Sequence, residues 1–198
     1  GLPGVRDWWA AYPFSCLEQQ TSKAVGLRDG KLWQTVVANL PTYLDSDGLA
    51  SYFPPRSGDA NTGSDTLTAY LLAATHEAAA INPAFALPDE ARAPMERALI
   101  AFVEGRIQRN HWSPRKDLDM RKLAAIEALS RYGKAQGRML SSITIAPNQW
   151  PTHSVIDWVN VLKRVADVPE RDKRLAEAMQ ILRARLSFQG TKLIFSTE

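Results

Sequence analysis

A cysteine and a glutamine lie three positions apart near the start of the chain, at Cys16 and Gln19. On one turn of a helix such positions face each other, with their Cβ atoms about 5–6 Å apart. The cysteine sulfur can therefore reach the side-chain carbonyl carbon of the glutamine, and loss of ammonia would leave an internal thioester. From spacing alone, a Cys-x-x-Gln pair on a helix usually carries no chemistry, and a buried apolar thiol or a lone nucleophilic cysteine is also open.

Aromatic residues are concentrated just before the cysteine. They are Trp8, Trp9, Tyr12 and Phe14. A thioester persists only while water is kept away from it, and packed rings can exclude solvent. We predict that these rings shield the bond, although aromatic residues in such a segment are also typical of an ordinary core.

Cys16 is the only cysteine among the 198 residues, which excludes an intrachain disulfide and a site built from several thiolates. A cysteine hydrolase or transferase would need a histidine base, and His76, His111 and His153 are available. His76 is predicted to lie in the middle of a helix, and the other two flank tryptophans. Each is interpreted as a surface or packing residue, and no metal-binding histidine spacing is found.

Two close acidic pairs keep a second class of function open, that of all-α toroidal enzymes such as glycosidases and terpene cyclases. They are Asp117 with Asp119 and Asp45 with Asp47. Asp117 is predicted to be the N-cap of a helix, and the other pair is predicted to form a turn before Gly48. A third class is a helical interaction scaffold in which the cysteine is buried and inert.

The elements that must position these residues are predicted to be helices joined by short connections, which favours an all-α fold of helical hairpins. Predicted helices cover residues 5–11, 16–27, 32–44, 65–79, 88–104, 117–132, 152–166 and 170–186. Residues 45–62, rich in Gly, Pro, Ser and Asp, are predicted to be a long surface loop. Residues 141–145 are ambiguous, and residues 187–198 are predicted to be extended.

The charge pattern and the lengths of the apolar runs exclude some classes of binding partner. Lys and Arg number 24 against 21 Asp and Glu, and the two signs alternate, which indicates neither nucleic acid nor a charged membrane surface as a partner. No apolar run is long enough to span a membrane. We interpret residues 1–198 as a single domain cut from a longer protein, because the chain begins without Met and without a secretory signal.

Residues 12–19, Tyr-Pro-Phe-Ser-Cys-Leu-Glu-Gln, resemble the thioester motif of bacterial alpha-2-macroglobulins, commonly Tyr-Pro-aromatic-small-Cys-x-Glu-Gln. Residues 1–8 resemble the approach to it. Residues 65–70, Asp-Thr-Leu-Thr-Ala-Tyr, are similar to the Leu-Thr-Ala-aromatic helix of macroglobulin and complement thioester domains. Residues 128–133 and 189–198 resemble the bacterial branch as well, so the resemblance covers nearly the whole chain.

The sequence departs from the family pattern in two places. Ser15 and Leu17 replace the small residues that many members place beside the cysteine and the glutamate. The stretch between Leu27 and the long loop is also short, which indicates a trimmed helical connection.

The resemblance implies an α/α toroid, of which this chain would be the N-terminal two-thirds. Cys16 would be the thiol side and Gln19 the acyl side of an isoglutamyl cysteine thioester, and Glu18 would support its formation. In the family, a residue before the Leu-Thr-Ala helix selects the nucleophile, histidine favouring hydroxyl groups and asparagine favouring amines. By offset that loop is 56–62, where Asn61 is the candidate, so an amine such as that of lysine is expected.

The function implied by the resemblance is covalent protease trapping. Cleavage of a bait segment exposes the thioester, the glutamine acylates a lysine of the attacking protease, and the cysteine leaves as a free thiol. This implies a single-use, broad-spectrum endopeptidase inhibitor rather than an enzyme, with no cofactor apart from the thioester. The implied partners are target proteases and the other macroglobulin domains of the parent chain, which would be periplasmic and lipid-anchored at the inner membrane.

Overall fold

The computed structural model describes residues 16–58, 61–109 and 115–188. Within these ranges the secondary structure consists of α-helices and short 3-10 helices, without a β-strand. The α-helices are α1 (Leu17–Gly26), α2 (Gly30–Asn39), α3 (Asp65–Ile81), α4 (Asp89–Val103), α5 (Arg115–Ser130), α6 (Thr152–Arg164) and α7 (Arg171–Phe188). The 3-10 helices are Leu40–Tyr43, Pro83–Phe85, Gly137–Ser142 and Pro147–Gln149. The predicted all-α class is confirmed.

The chain divides into two compact units, residues 1–97 and 98–198, and the division falls within α4. In the first unit α1 packs against α2 and α3, and in the second α6 packs against both α5 and α7. Each unit is therefore built from helical hairpins, as predicted. A single domain over the whole chain and closure into a toroid stay predictions.

Proline and capping residues decide where the helices of the first unit end. Asp29 caps α2, because its Oδ1 accepts the backbone N–H of Leu32 at 3.0 Å. The predicted helix 32–44 is interrupted at Asn39, and the chain continues as the 3-10 helix Leu40–Tyr43. Pro41 has no N–H to donate to a carbonyl one turn back, which accounts for the change of helix type.

Two predictions at helix ends are wrong. The helix α5 begins at Arg115, so Asp117 lies in its first turn and not at the N-cap; there its carboxylate still faces the positive end of the helix dipole. The helix α7 continues through Phe188, so the start of the predicted extended tail is helical. Residues 5–11 and 189–198 lie outside the described residues.

A buried cluster of charged side chains joins α5 to α6 in the second unit. Glu127 is 4% exposed, and its Oε1 accepts Arg131 Nε at 2.9 Å and Arg164 Nη1 at 2.7 Å. Burial raises the pKa of Asp157, on α6, to about 7, and the negative charge of Glu127 adds to that rise. The positive charges of Arg131 and Arg164 lower this pKa, but their effects are smaller than those of burial and of Glu127.

We expect Asp157 to weaken the fold as pH rises. In the unfolded chain this carboxyl loses its proton near pH 3.8, whereas in the folded chain it keeps the proton up to about pH 7. Stability is therefore lost between these values, by up to about 4–5 kcal/mol at roughly 1.4 kcal/mol per pKa unit. Urea unfolding at several pH values measures the loss.

Asp157→Asn removes the ionisable carboxyl and with it the loss of stability at high pH. The variant should be more stable than the parent chain at about pH 8 and nearly equal to it at about pH 4. Asp172→Asn, in the exposed first turn of α7, is the matched control and should follow the parent curve. Parallel pH curves for the parent chain and Asp157→Asn would contradict the assignment.

Candidate functional site

Cys16 and Gln19 are brought together at the first turn of α1. Cys16 is the N-cap, with extended backbone (φ −72°, ψ 166°), and Gln19 is the third helical residue. The backbone N–H of Cys16 donates to Gln19 Oε1 at 3.1 Å. In the reciprocal half of this capping box, the Cys16 side chain lies at the backbone N–H of Gln19. The thiol and the carboxamide therefore each contact the backbone N–H of the other residue within the same turn.

The residues of this turn differ in burial. Leu17 is fully buried, Cys16 is half-buried, and Glu18 and Gln19 are exposed. Glu18 is the acidic residue of the first turn, where a carboxylate stabilises the positive end of the helix dipole. The acyl carbon of Gln19 thus lies on the open face of α1 while the neighbouring leucine fixes the helix to the core.

Two hydrogen bonds fix the start of α1 to the segment that follows α2. The backbone N–H of Leu17 donates to the carbonyl of Tyr52 at 2.8 Å, which satisfies one of the free N–H groups at a helix start. Gln20 Nε2 donates to the hydroxyl of Tyr43 at 3.0 Å. The turn that carries Cys16 is consequently held in place.

The helix α3 contributes the third support. Its N-cap is Ser64, whose Oγ accepts the N–H of Leu67 at 3.1 Å. Thr68 Oγ1 accepts the N–H of Ala50 at 2.9 Å, and the Tyr70 hydroxyl lies 2.5 Å from Ser22 Oγ on α1. The Leu-Thr-Ala-Tyr segment therefore contacts both the long loop and the helix that begins at the cysteine.

Asp45 organises the long loop from inside. Its Oδ1 accepts the N–H groups of Asp47 at 2.9 Å and Leu49 at 3.1 Å, and its Oδ2 accepts that of Gly63 at 2.9 Å. Gly48 has a positive φ of 95°, which glycine adopts without strain. The predicted turn role of Asp45 and Asp47 is confirmed.

Asn61 is bound within the same loop. Asn61 Oδ1 accepts hydrogen bonds from the backbone N–H of Ser46 at 3.3 Å and from the Ser46 hydroxyl at 2.8 Å. Asn61 Nδ2 donates to Asp47 Oδ2 at 3.1 Å. Its role in selecting a nucleophile stays a prediction. The predicted shield lies outside the described residues; it comprises Trp8, Trp9, Tyr12 and Phe14.

The second acidic pair has structural partners of its own. Asp119 is buried and accepts the backbone N–H of Thr144 at 3.1 Å and its Oγ1 at 3.3 Å. Asp117 forms an ion pair with Arg121 at 3.5 Å. Asp119 therefore binds the loop at Thr144, whereas Asp117 binds the next turn of α5.

The histidines are spread over the chain. His76 is half-buried on α3, His153 is exposed at the start of α6, and His111 lies outside the described residues. The described part of the chain contains no group of three His, Cys, Asp or Glu side chains that could hold a metal ion. None of its helices is long and apolar enough to cross a membrane.

The second unit contains a cavity of about 940 Å³ that the sequence did not reveal. Its walls are mainly apolar and include Ile143, Ile145 and Ile181. Trp150 and Trp158 also line it, with ring centroids 5.8 Å apart and nearly perpendicular planes. The ambiguous segment 141–145 forms part of this wall, and no predicted site residue lines the cavity.

Gly63 permits the close approach of the long loop to α3. A Cβ atom at this position would lie 2.4 Å from both Asp45 Oδ2 and Leu49 Cβ, well inside contact distance. We expect Gly63→Ala to destabilise the chain by about 1–3 kcal/mol, the usual cost of overpacking. Thermal unfolding measures the loss, and limited proteolysis should show new cleavage between residues 45 and 62.

Gly26→Ala is the matched control, because a Cβ there meets nothing within 4 Å and alanine favours a helix. It should leave stability unchanged or raise it slightly. An equal loss in both variants would argue against a tight approach at Gly63.

Comparison with known proteins gives one structural likeness. No family model and no curated protein match the sequence. Among solved structures, the native conformation of E. coli alpha-2-macroglobulin, determined by cryo-EM, matches with a TM-score of 0.64 and 18% identity. The match covers 90% of this chain and 12% of that chain, so the chain spans a small part of its neighbour. At this identity the likeness concerns the fold alone, and it supports a macroglobulin-like fold for this chain.

Proposed function

We propose that Cys16 Sγ and Gln19 Cδ are joined in an internal thioester and that the chain is the acylating part of a protease trap. The observation that carries the proposal is the capping box of α1, in which the N–H of Cys16 holds Gln19 Oε1 at 3.1 Å. A cysteine at the N-cap and a glutamine at the third helical position share one turn, and this placement supports ring closure. Because the thiol would attack a carbon over its own turn, the reaction is intramolecular and its entropic cost is low.

Formation of the bond is balanced by the loss of ammonia. The thiolate adds to Cδ, the side-chain nitrogen takes up a proton and leaves as ammonia, and a C–S bond replaces a C–N bond. Negative charge develops on Oε1 during addition. The N–H of Cys16, at the positive end of α1, stabilises this charge as an oxyanion-hole donor does.

Trapping uses the same carbon a second time. The neutral amine of a protease lysine adds to Cδ, the C–S bond breaks, and the Cys16 thiolate leaves and takes a proton. The product is an isopeptide amide, and the acyl group is consumed, so the reaction occurs once and is not an enzymatic turnover. Exposure of Gln19 suits attack by an amine from outside the chain.

The likeness in fold to E. coli alpha-2-macroglobulin supports a place for this chain in a larger protein of that kind. Because the chain spans 12% of that neighbour, the bait segment and the remaining domains would belong to other parts of the parent. We further propose a periplasmic parent, lipid-anchored at the inner membrane, with Asn61 favouring amines. The rings preceding Cys16 would keep water from the bond until a protease is engaged.

Mass spectrometry with methylamine tests the thioester directly. The chain should weigh one ammonia less than its sequence requires, and methylamine should add to Gln19 while a thiol becomes titratable. Cys16→Ala and Gln19→Ala should each abolish methylamine incorporation. Helix content should change little, because loss of a cap costs only about 1 kcal/mol.

Gln34→Ala is the matched control, since this glutamine is exposed on α2 and does not belong to the turn that carries the cysteine. It should retain full methylamine incorporation. A chain with its full mass and a titratable thiol from the outset would refute the proposal, and a thiol alkylated at once without methylamine would indicate a cysteine nucleophile instead.

A further inference from the structure

Lys23 lies four residues after Gln19 on the same helix, α1. Side chains four positions apart on an α-helix are neighbours, with Cβ atoms about 5–6 Å apart. Because Cα–Cβ bonds tilt toward the N-terminus of a helix, the longer side chain at the later position leans back over the earlier one. Gln19 is exposed, Lys23 is half-buried, and their spacing places both on one face of α1.

We propose that Lys23 is an internal acyl acceptor that competes with external amines for the thioester. This inference rests on the proposed function, because it needs an activated acyl group at Gln19. Its product is a side-chain lactam between Gln19 Cδ and Lys23 Nζ, a covalent bridge across one turn of α1. Cys16 is released as a free thiol.

The transfer is balanced without any further reactant. The neutral amine of Lys23 adds to Cδ, a C–N bond forms, the C–S bond breaks, and the proton lost by nitrogen passes to the leaving thiolate. No atom enters or leaves the chain. The lactam therefore has the same mass as the thioester and differs from it by one titratable thiol.

In the structure the Gln19 carbonyl points away from the turn of Lys23. The hydrogen bond from the Cys16 N–H directs Gln19 Oε1 toward the N-terminus of α1, away from the turn that carries Lys23. Attack from the C-terminal side requires the Gln19 side chain to turn over its own helix. A lysine ammonium must also lose its proton before it can attack, so the transfer should accelerate as pH rises.

Intramolecular attack gives the trap a limited lifetime after activation. A reacting group held one helical turn away acts at a high effective concentration. An external lysine succeeds only if the protease presents it at once, and otherwise Lys23 consumes the acyl group. Capture of distant bystander proteins would thereby be suppressed.

The test uses the whole chain, incubated at about pH 9 without added amine, where lysine is more often unprotonated. Thiol titration and intact mass are followed together, and the protein is then alkylated and digested with trypsin. We expect thiol to appear while the mass stays one ammonia light. Trypsin should fail to cleave after Lys23, giving a bridged peptide of residues 7–28 with an alkylated cysteine.

Lys23→Arg keeps the positive charge and removes the primary amine, so it should lower the yield of the ammonia-light, thiol-positive species at least about tenfold. Methylamine incorporation at neutral pH should persist in this variant. Lys31→Arg, exposed in the first turn of α2, is the matched control and should behave like the parent chain.

The outcomes separate the two proposals. Thiol release accompanied by the mass of a glutamate at position 19 shows hydrolysis alone, which overturns the role of Lys23 and leaves the thioester standing. An undiminished ammonia-light, thiol-positive species in Lys23→Arg assigns the acceptor elsewhere and also overturns it. Full unmodified mass from the outset overturns both proposals.

Discussion

The hydrogen bond between the Cys16 N–H and Gln19 Oε1 is the interaction on which the site depends. A cap contributes only about 1 kcal/mol to a helix, but here it also fixes which two side chains share the first turn. This hydrogen bond keeps its geometry because the start of α1 is fixed relative to the rest of the first unit. Leu17 is buried beneath it, and the Leu17 N–H is bound to the carbonyl of Tyr52. The relative position of the Cys16 and Gln19 side chains therefore depends on how α1 packs within the first unit.

That packing is itself determined by a few polar groups inside a loop. The carboxylate of Asp45 accepts three backbone N–H groups, and Thr68 on α3 binds the N–H of Ala50. A buried carboxylate without such donors would be costly, so the three bonds to Asp45 stabilise the loop in this conformation. Because the loop carries Tyr52, its conformation decides where the start of α1 is anchored.

Local signals carried most of what the sequence could predict. Apolar periodicity and caps identified the helices, and the run of small and polar residues identified the loop that Asp45 organises. The change of helix type at Pro41 involves a choice between two hydrogen-bond patterns that periodicity does not distinguish. The Glu127 cluster and the cavity beside Trp150 depend on contacts between segments far apart in sequence, which no local pattern contains. The pairing of Cys16 with Gln19 could be predicted from the sequence because both residues lie within one helical turn.

A thioester at the start of α1 would be stored under opposing demands. The N–H that positions Gln19 Oε1 also withdraws electron density from the acyl carbon, so the arrangement that favours ring closure favours attack by any nucleophile. The thioester would then stay unreacted only if nucleophiles are kept from its carbonyl carbon and if that carbonyl points away from nearby amines. Access is the task proposed for the aromatic rings that precede Cys16, and direction would come from the capping hydrogen bond, which holds Gln19 Oε1 at the N-terminal end of α1. A helix terminus therefore suits this chemistry better than a helix interior, because only there does a free backbone N–H point at the side chain that it must both activate and restrain.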